Sequence, residues 1–318
     1  RQGIAKLGLS KDIPVSQFPA KLVLELRSLT RKYYDLTDER SAHINKLKGD
    51  LHTVFPQYLD VFCDVTGKTS TMILRQYGTP DKILRGHKKT MIEKISKASR
   101  KGLAKASERY EKLCAAANAA KTFGCQIDSI YFNIFLTLDL VEKLDSALDS
   151  ILNRIRQLIT FNKNEKFIQQ IKLLNTIPGV GFLTAVTIMC EIGDFSAFRN
   201  PKQLFAYFGL DPEVNESGKF VGTQLHMSKR GSRITRRAIF AVALASIRTK
   251  RNGEGINPYL RKYYELKSGQ KPKMVAIGAV MHKVCNIVFA VLRDEKAFEL
   301  RSPEEHCKQY QRPALAAA

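Results

Sequence analysis

Two long leucine-studded stretches restrict the fold that this chain can reach. Between residues 20 and 55, Leu22, Leu26, Leu29, Tyr33, Leu36, Leu47 and Val54 recur on three- and four-residue steps, with Arg40 and His43 interrupting them. Residues 138–161 repeat the stripe without interruption through Val141, Leu144, Leu148, Ile151, Ile155 and Leu158. Steps of three and four residues line one face of a helix, and so narrow a stripe is that of a coiled-coil seam. Pro19 and Pro56 bracket the first stretch, as helix punctuation does. The alternation that marks a strand is almost absent. The expected fold is mostly α.

Shorter helices are expected at 69–77, 88–99 and 103–120, with Thr79-Pro80 and Gly86 as breaks. The middle ones are basic, carrying Lys88, Lys89, Lys94, Lys97, Arg100, Lys101 and Lys105. Residues 162–166 read as a polar hinge. Beyond it, helices are expected at 167–175, 182–192, 196–208, 234–250 and 274–293. A helical, coiled-coil region that dimerises and contacts RNA or DNA would then occupy 19–168. A second helical domain would fill 169–300, and 301–318 would be a low-complexity tail.

Lys and Arg number 52 against 30 Asp and Glu, a net charge of +22. Solubility needs far less, so the excess points to a polyanionic partner, most simply nucleic acid. A membrane surface is the competing polyanion. No segment approaches the roughly 18 consecutive apolar residues of a membrane span. The longest apolar run, 238–247, is bracketed by Arg and Lys, and no signal peptide is visible. No membrane association is expected. The six cysteines (63, 114, 125, 190, 285 and 307) form no Cys-x-x-Cys pair, so no zinc site is expected and cytoplasmic, reduced thiols are. The histidines are dispersed, and His282, in an apolar helical stretch, reads as packed or capping.

The chemistry concentrates between residues 177 and 237. Ile177-Pro-Gly-Val-Gly181 is a turn between two helices, the helix-hairpin-helix pattern, in which Gly179 and Gly181 would let backbone N–H groups approach a phosphate. The bland alternative is an ordinary helix–helix turn. Ser217-Gly218 follows. Taken alone it reads as a turn, because Ser and Gly favour turns and no His or Asp base stands near it in sequence. Lys229, Arg233, Arg236 and Arg237 then fall at helical spacing on one face, thickened by Arg230 and Lys219. A charge run is usually a solvated face. Beside a Ser-Gly loop, phosphate contact is the better reading, and such contacts fix position without reading sequence. Asp211, Asp194 and Glu191 are scattered over helix ends, so this stretch advertises no carboxylate cluster for two-metal chemistry.

Taken in order, these motifs resemble a known family. Residues 173–298 look like the C-terminal domain of the insertion-sequence one-ten family of transposases, described as bridge-RNA-guided recombinases. The matching landmarks are Ile177-Pro-Gly-Val-Gly181, Phe195-x-x-Phe198, Tyr207-Phe-Gly-Leu-Asp-Pro212, Ser217-Gly218, Ser228-Lys-Arg-Gly231 with the Arg-rich helix after it, and Ala276, Ala279 and Lys283. Leu26-Arg-x-Leu29, Arg31, Arg40, Asn45-Lys-Leu47 and Phe55-Pro56 resemble the family's linker, so the likeness covers nearly the whole chain.

The resemblance implies a DNA transposase or recombinase in which Ser217 attacks a phosphodiester and holds the strand as a phosphoserine. It implies Lys219, Lys229, Arg230, Arg233, Arg236 and Arg237 on DNA, a non-coding guide RNA, and a homodimer or homotetramer built through the coiled coil in a prokaryotic cytoplasm. It further implies Mg²⁺, held by acidic ligands of a RuvC-like domain. Those ligands would lie upstream of residue 1, with residues 1–18 as the end of that domain, so no residue here inherits a metal-binding role. The alternative is a helix-hairpin-helix nucleic-acid-binding protein, or a decayed transposase, that binds without cutting.

Overall fold

The computed structural model describes residues 19–123, 125, 127–213, 216–217, 220–221 and 226–305, apart from the side chains of residues 123, 216, 217, 220 and 221. The expected segment 1–18 and, of the expected tail 301–318, residues 306–318 lie outside the described residues. The chain is mostly α. It divides into two compact units: an intervening unit, Lys32–Asn153, and a terminal unit made of Arg1–Arg31 with Arg154–Ala318. Two 34-residue helices, α1 (Lys21–Val54) and α7 (Asp128–Phe161), each contribute to both.

In the intervening unit, five shorter helices lie between them in sequence: α2 (Tyr58–Val61), α3 (Lys68–Gln76), α4 (Pro80–Arg85), α5 (Lys88–Ser99) and α6 (Leu103–Phe123). Their apolar faces close on one core containing Leu47, Leu51, Phe55, Tyr58, Ile73, Met91, Leu113 and Ile134. Burial of each such side chain contributes about 1.5–3 kcal/mol. The buried Tyr58 hydroxyl is satisfied by Ser70, 3.0 Å from its carbonyl oxygen and 2.9 Å from its Oγ. α1 and α7 run antiparallel here. Arg40, which interrupts the first stripe, pairs with Asp145 on the second, and the Tyr131 hydroxyl donates to the Val54 carbonyl at 3.3 Å. Thr79-Pro80 and Gly86, read as breaks, are the two ends of α4. Thr79 Oγ1 accepts from the Lys82 N–H, Pro80 opens the first turn and Gly86 is the C-cap. α7 begins ten residues before 138, because Tyr131 and Ile134 continue its buried face.

The terminal unit contains α8 (Lys166–Leu174), α9 (Phe182–Ile192), a 3₁₀ turn (Phe195–Ala197), α10 (Pro201–Tyr207), α11 (Arg233–Ser246), α12 (Pro258–Ser268) and α13 (Lys273–Asp294). α13 is long and apolar enough to cross a membrane. Here it is the core helix, burying Ala276, Val280, Val284, Val288, Phe289 and Leu292 and packing on α8, α10, α11 and α12, while Ala185, Ile188 and Met189 of α9 and Ile239 and Val242 of α11 are buried in the same unit. His282 on α13 packs edge-on against Phe205, with ring centroids 4.4 Å apart, and burial lowers its pKa. The single helix expected at 196–208 is split, because Asn200 caps a new start by accepting from the Gln203 N–H at 3.0 Å and Pro201 follows it. α12 was not legible in the sequence: Leu260 is its one buried residue, so it carries no stripe. The strands described are two residues each, β1 (Glu216–Ser217) and β2 (Phe220–Val221), paired antiparallel with Ser217 opposite Phe220.

Candidate functional site

The two glycines of the 177–181 turn do different things. Gly179 has φ +96°, and a Cβ there would lie 2.6 Å from Ser246 Oγ and 3.1 Å from the Ser246 nitrogen. The Ser246 hydroxyl also donates to the Pro178 carbonyl at 3.0 Å. Gly179 is therefore the point at which the turn lies flat on the end of α11, a position open only to a residue without a side chain. Gly181 is the N-cap of α9 and is exposed, with nothing within 4 Å of where a Cβ would stand. Of the pair, Gly181 faces the open side.

The Tyr207–Pro212 and Ser228–Gly231 motifs, well separated in sequence, are locked together. The Ser228 N–H donates to the Asp211 carbonyl at 2.8 Å, and its hydroxyl to Asp211 Oδ1 at 2.6 Å. The Lys229 N–H donates to the Gly209 carbonyl at 3.1 Å, the Glu213 N–H to the His226 carbonyl at 2.6 Å, and Pro212 bridges Met227. Gly209 (φ +65°) and Gly231 allow the contact: a Cβ on Gly231 would collide with the backbone of Tyr207 and Phe208, and one on Gly209 with the backbone of Arg230 and Gly231. Lys229 has φ +54°, rare for a side chain that is not glycine. In sequence, β1 and β2 lie between Glu213 and His226, whose backbones are paired in this clamp. Ser217 is the last residue of β1, with a side chain outside the description, and Lys219 lies outside the described residues.

The basic run splits as well. Lys229, Arg230 and Arg233 are exposed where α11 begins, the end at which the helix dipole favours an anion. Arg237 is half-buried. Arg236 turns inward: its Nη1 donates to the Gly231 carbonyl at 2.6 Å and to the Phe208 carbonyl at 3.3 Å. It fastens the clamp, with Ser232 capping α11 through the Thr235 N–H.

Behind the clamp lies a charge that sequence reasoning read only as a scattered acid. Glu191 is 3% exposed. Arg31 holds it with two bonds, Nε to Oε1 at 2.8 Å and Nη2 to Oε2 at 3.0 Å. Burial pushes its pKa upward, but hydrogen bonds from Arg31 and Ser232 outweigh that and hold the carboxyl below the usual carboxylate range. Arg27 donates to the Cys190 carbonyl at 2.7 Å, and the Tyr207 hydroxyl to the Glu191 carbonyl at 3.0 Å. The first turns of α1 are thereby tied through Glu191 to Tyr207 of the first clamped motif and to Ser232, just after the second. Arg31, in the linker motif, was the one sequence signal of this connection.

Among the described residues, no group of three or more His, Cys, Asp or Glu side chains could hold a metal ion, so these residues do not fit an Mg²⁺ site.

Comparison with known proteins adds kinship to this geometry. Residues 171–265, which include the turn, the clamp and α11, match the "Transposase IS116/IS110/IS902 family". The chain is similar to an uncharacterised 43.6 kDa protein of insertion element IS110 from Streptomyces coelicolor, at 23% identity over 89% of this chain and 66% of that one. It is 30% identical to the pilin gene-inverting protein of Moraxella bovis over 55% of this chain and 52% of that one. It is 26% identical to the transposase for insertion sequence element IS1111A from Coxiella burnetii over 57% of this chain and 50% of that one. The chain thus spans between about half and two thirds of these relatives' lengths.

Proposed function

We propose that this chain, whose residues 171–265 match the IS116/IS110/IS902 transposase family, cuts and rejoins DNA strands in transposition, with Ser217 as the nucleophile. In this reading the Ser217 oxygen attacks a backbone phosphorus. A P–O bond to the serine forms, the P–O bond to one deoxyribose oxygen breaks, and that released oxygen takes up the equivalent of the proton that the serine hydroxyl loses. A hydroxyl from the exchanged strand later reverses the step and frees the serine. Phosphodiester energy is kept in the phosphoserine, so no other energy source is required.

One observation carries this reading. The segment bearing Ser217 is rooted in a clamp, fixed by Asp211 and Ser228, whose other arm presents Lys229, Arg230 and Arg233 at a helix start. Cations held there position a phosphate near the root of the serine-bearing segment. Gene inversion, named for one relative, and transposition, named for another, both require strands to be cut and rejoined. In the same reading a non-coding RNA chooses the sequence by base pairing, in the division of labour seen in other RNA-guided systems. Copies assemble through the long helices α1 and α7. Mg²⁺ and its acidic ligands belong to a part of the assembly other than the described residues, and no step is routed through the ion.

The test is covalent trapping. The full-length protein is incubated with element-end DNA and its RNA, and protein–DNA adducts are resolved under denaturing conditions. Wild type should give an adduct that maps to Ser217, and Ser217→Ala should give none while binding DNA within about twofold of wild type. An adduct persisting in Ser217→Ala would remove the serine from the mechanism. Binding with no adduct from either protein would favour a non-catalytic nucleic-acid-binding role.

A further inference from the structure

A second concentration of charge lies in the intervening unit. Residues 82–112 hold eleven Lys and Arg against three Asp and Glu. Here α5 and α6 pack as a hairpin whose turn passes through Arg100, at φ +54°. Met91 and Ile95 on one helix, and Ala106, Tyr110 and Leu113 on the other, are buried, which directs the basic residues outward.

Three rings steady the cations. Lys88 stands 5.9 Å from the Tyr110 ring, Lys94 5.7 Å from Tyr77 and Arg109 5.5 Å from Phe62. The turn is itself locked. The Ser96 hydroxyl donates to the Lys101 carbonyl at 3.0 Å, and the Lys101 N–H to Ser99 Oγ at 3.3 Å.

This hairpin is concave where the charge is greatest. A cleft of about 210 Å³ is lined by Ser99, Lys101, Lys105, Glu108, Arg109 and Lys112. Its lone carboxylate is committed: Glu108 lies 2.7 Å from Lys112, whose hydrogen bond holds its pKa below the usual range. Lys101, Lys105 and Arg109 are left in a space of about seven water volumes, at roughly 30 Å³ per water. Like charges so close repel within one Debye length, and an anion between them relieves the repulsion. A solvated basic face would need neither the concavity nor the rings.

We propose that this cleft takes a phosphate of a nucleic-acid backbone. Its volume admits a phosphodiester and part of a sugar, not a base pair, so the contact follows the strand without reading sequence. The site lies wholly within the intervening unit and does not depend on Ser217: Ser217→Ala should leave it unchanged. Its failure would therefore leave the strand-exchange reading untouched.

The experiment measures binding of the full chain to labelled DNA duplex and RNA hairpin by fluorescence anisotropy, across a chloride series. Lys101→Glu with Lys105→Glu is compared with Lys32→Glu with Lys48→Glu, an equal change of charge at exposed positions of α1 outside the cleft. The cleft pair should lose about tenfold in affinity on at least one probe, with a salt slope lower by roughly 1–2. The α1 pair should lose much less. Glu108→Gln, which releases Lys112, should tighten binding. Thermal melting of each variant separates loss of contact from loss of fold. Equal losses from both pairs, or none from the cleft pair, would overturn the site. In wild type, inorganic phosphate should displace the probes no better than chloride at equal ionic strength. Stronger displacement by phosphate would make the cleft a free-phosphate site and overturn the backbone assignment.

Discussion

Residues 226–251 and 82–112 carry the same excess of eight positive charges, yet they are built differently. The first has six Arg and two Lys, the second eight Lys and three Arg. In the first, the chain is folded back on itself through Gly209 and Gly231 and holds a lysine at positive φ. In the second, two helices carry cations on flexible stems steadied by rings. Arg suits fixed, bidentate phosphate geometry, whereas Lys acts as a hydrated point charge that follows a backbone. In the proposed reading, net charge identifies the partner class, while the backbone beneath the charge decides whether a phosphate would be held for chemistry or only held.

The hardest way to break this comparison is to break the clamp. Gly231→Ala would drive a Cβ into the Tyr207–Phe208 backbone, where no side-chain rotation relieves it. A destabilisation of about 3 kcal/mol is expected in urea unfolding. Gly102→Ala, in the α5–α6 turn with nothing within 4 Å, should change stability by less than about 0.5 kcal/mol. Equal effects would show that the two basic regions do not differ in backbone constraint.

Glu191→Gln comes next. Removing one partner of a fully buried pair costs about 3–5 kcal/mol. Arg31 is 51% exposed on its side chain and water can take over part of its charge, so about 1–2 kcal/mol is expected. The sign with pH follows from the lowered folded pKa. The contribution is present above the unfolded carboxylate value of about 4.3 and is lost as pH falls through the folded value. Wild type should therefore lose stability more steeply than the Gln variant below about pH 4. Parallel pH profiles would mean that Glu191 does not anchor the clamp.

Much of this contrast was legible in the sequence, and the rest was not for identifiable reasons. The leucine stripes gave α1 and α7, because helical spacing leaves a periodic record. Gly179 was equally visible, but its packing against Ser246, 67 residues later, leaves no periodic trace. Arg236 and Arg233 look alike in sequence, three residues apart. One turns inward to two carbonyls and the other is exposed, a difference set by where Gly231 and Phe208 meet in space. Glu191 was seen as a scattered acid because its partner, Arg31, lies 160 residues away.

The pair Arg236 and Arg233 also gives the finest test. Arg236→Ala leaves the Gly231 and Phe208 carbonyls without their guanidinium donor, and should cost about 1–2 kcal/mol of stability. Its effect on the salt dependence of DNA binding in the folded protein should be small, because the charge is already engaged. Arg233→Ala, at an exposed position, should lower the salt slope by roughly 1 and weaken all DNA sequences alike. Lys229→Ala should resemble Arg233→Ala in binding, because its exposed ammonium sits on the same clamp. If Arg236 and Arg233 gave the same slope and the same stability, the basic run would be one solvated face, and the division between fastening and contacting residues would be wrong.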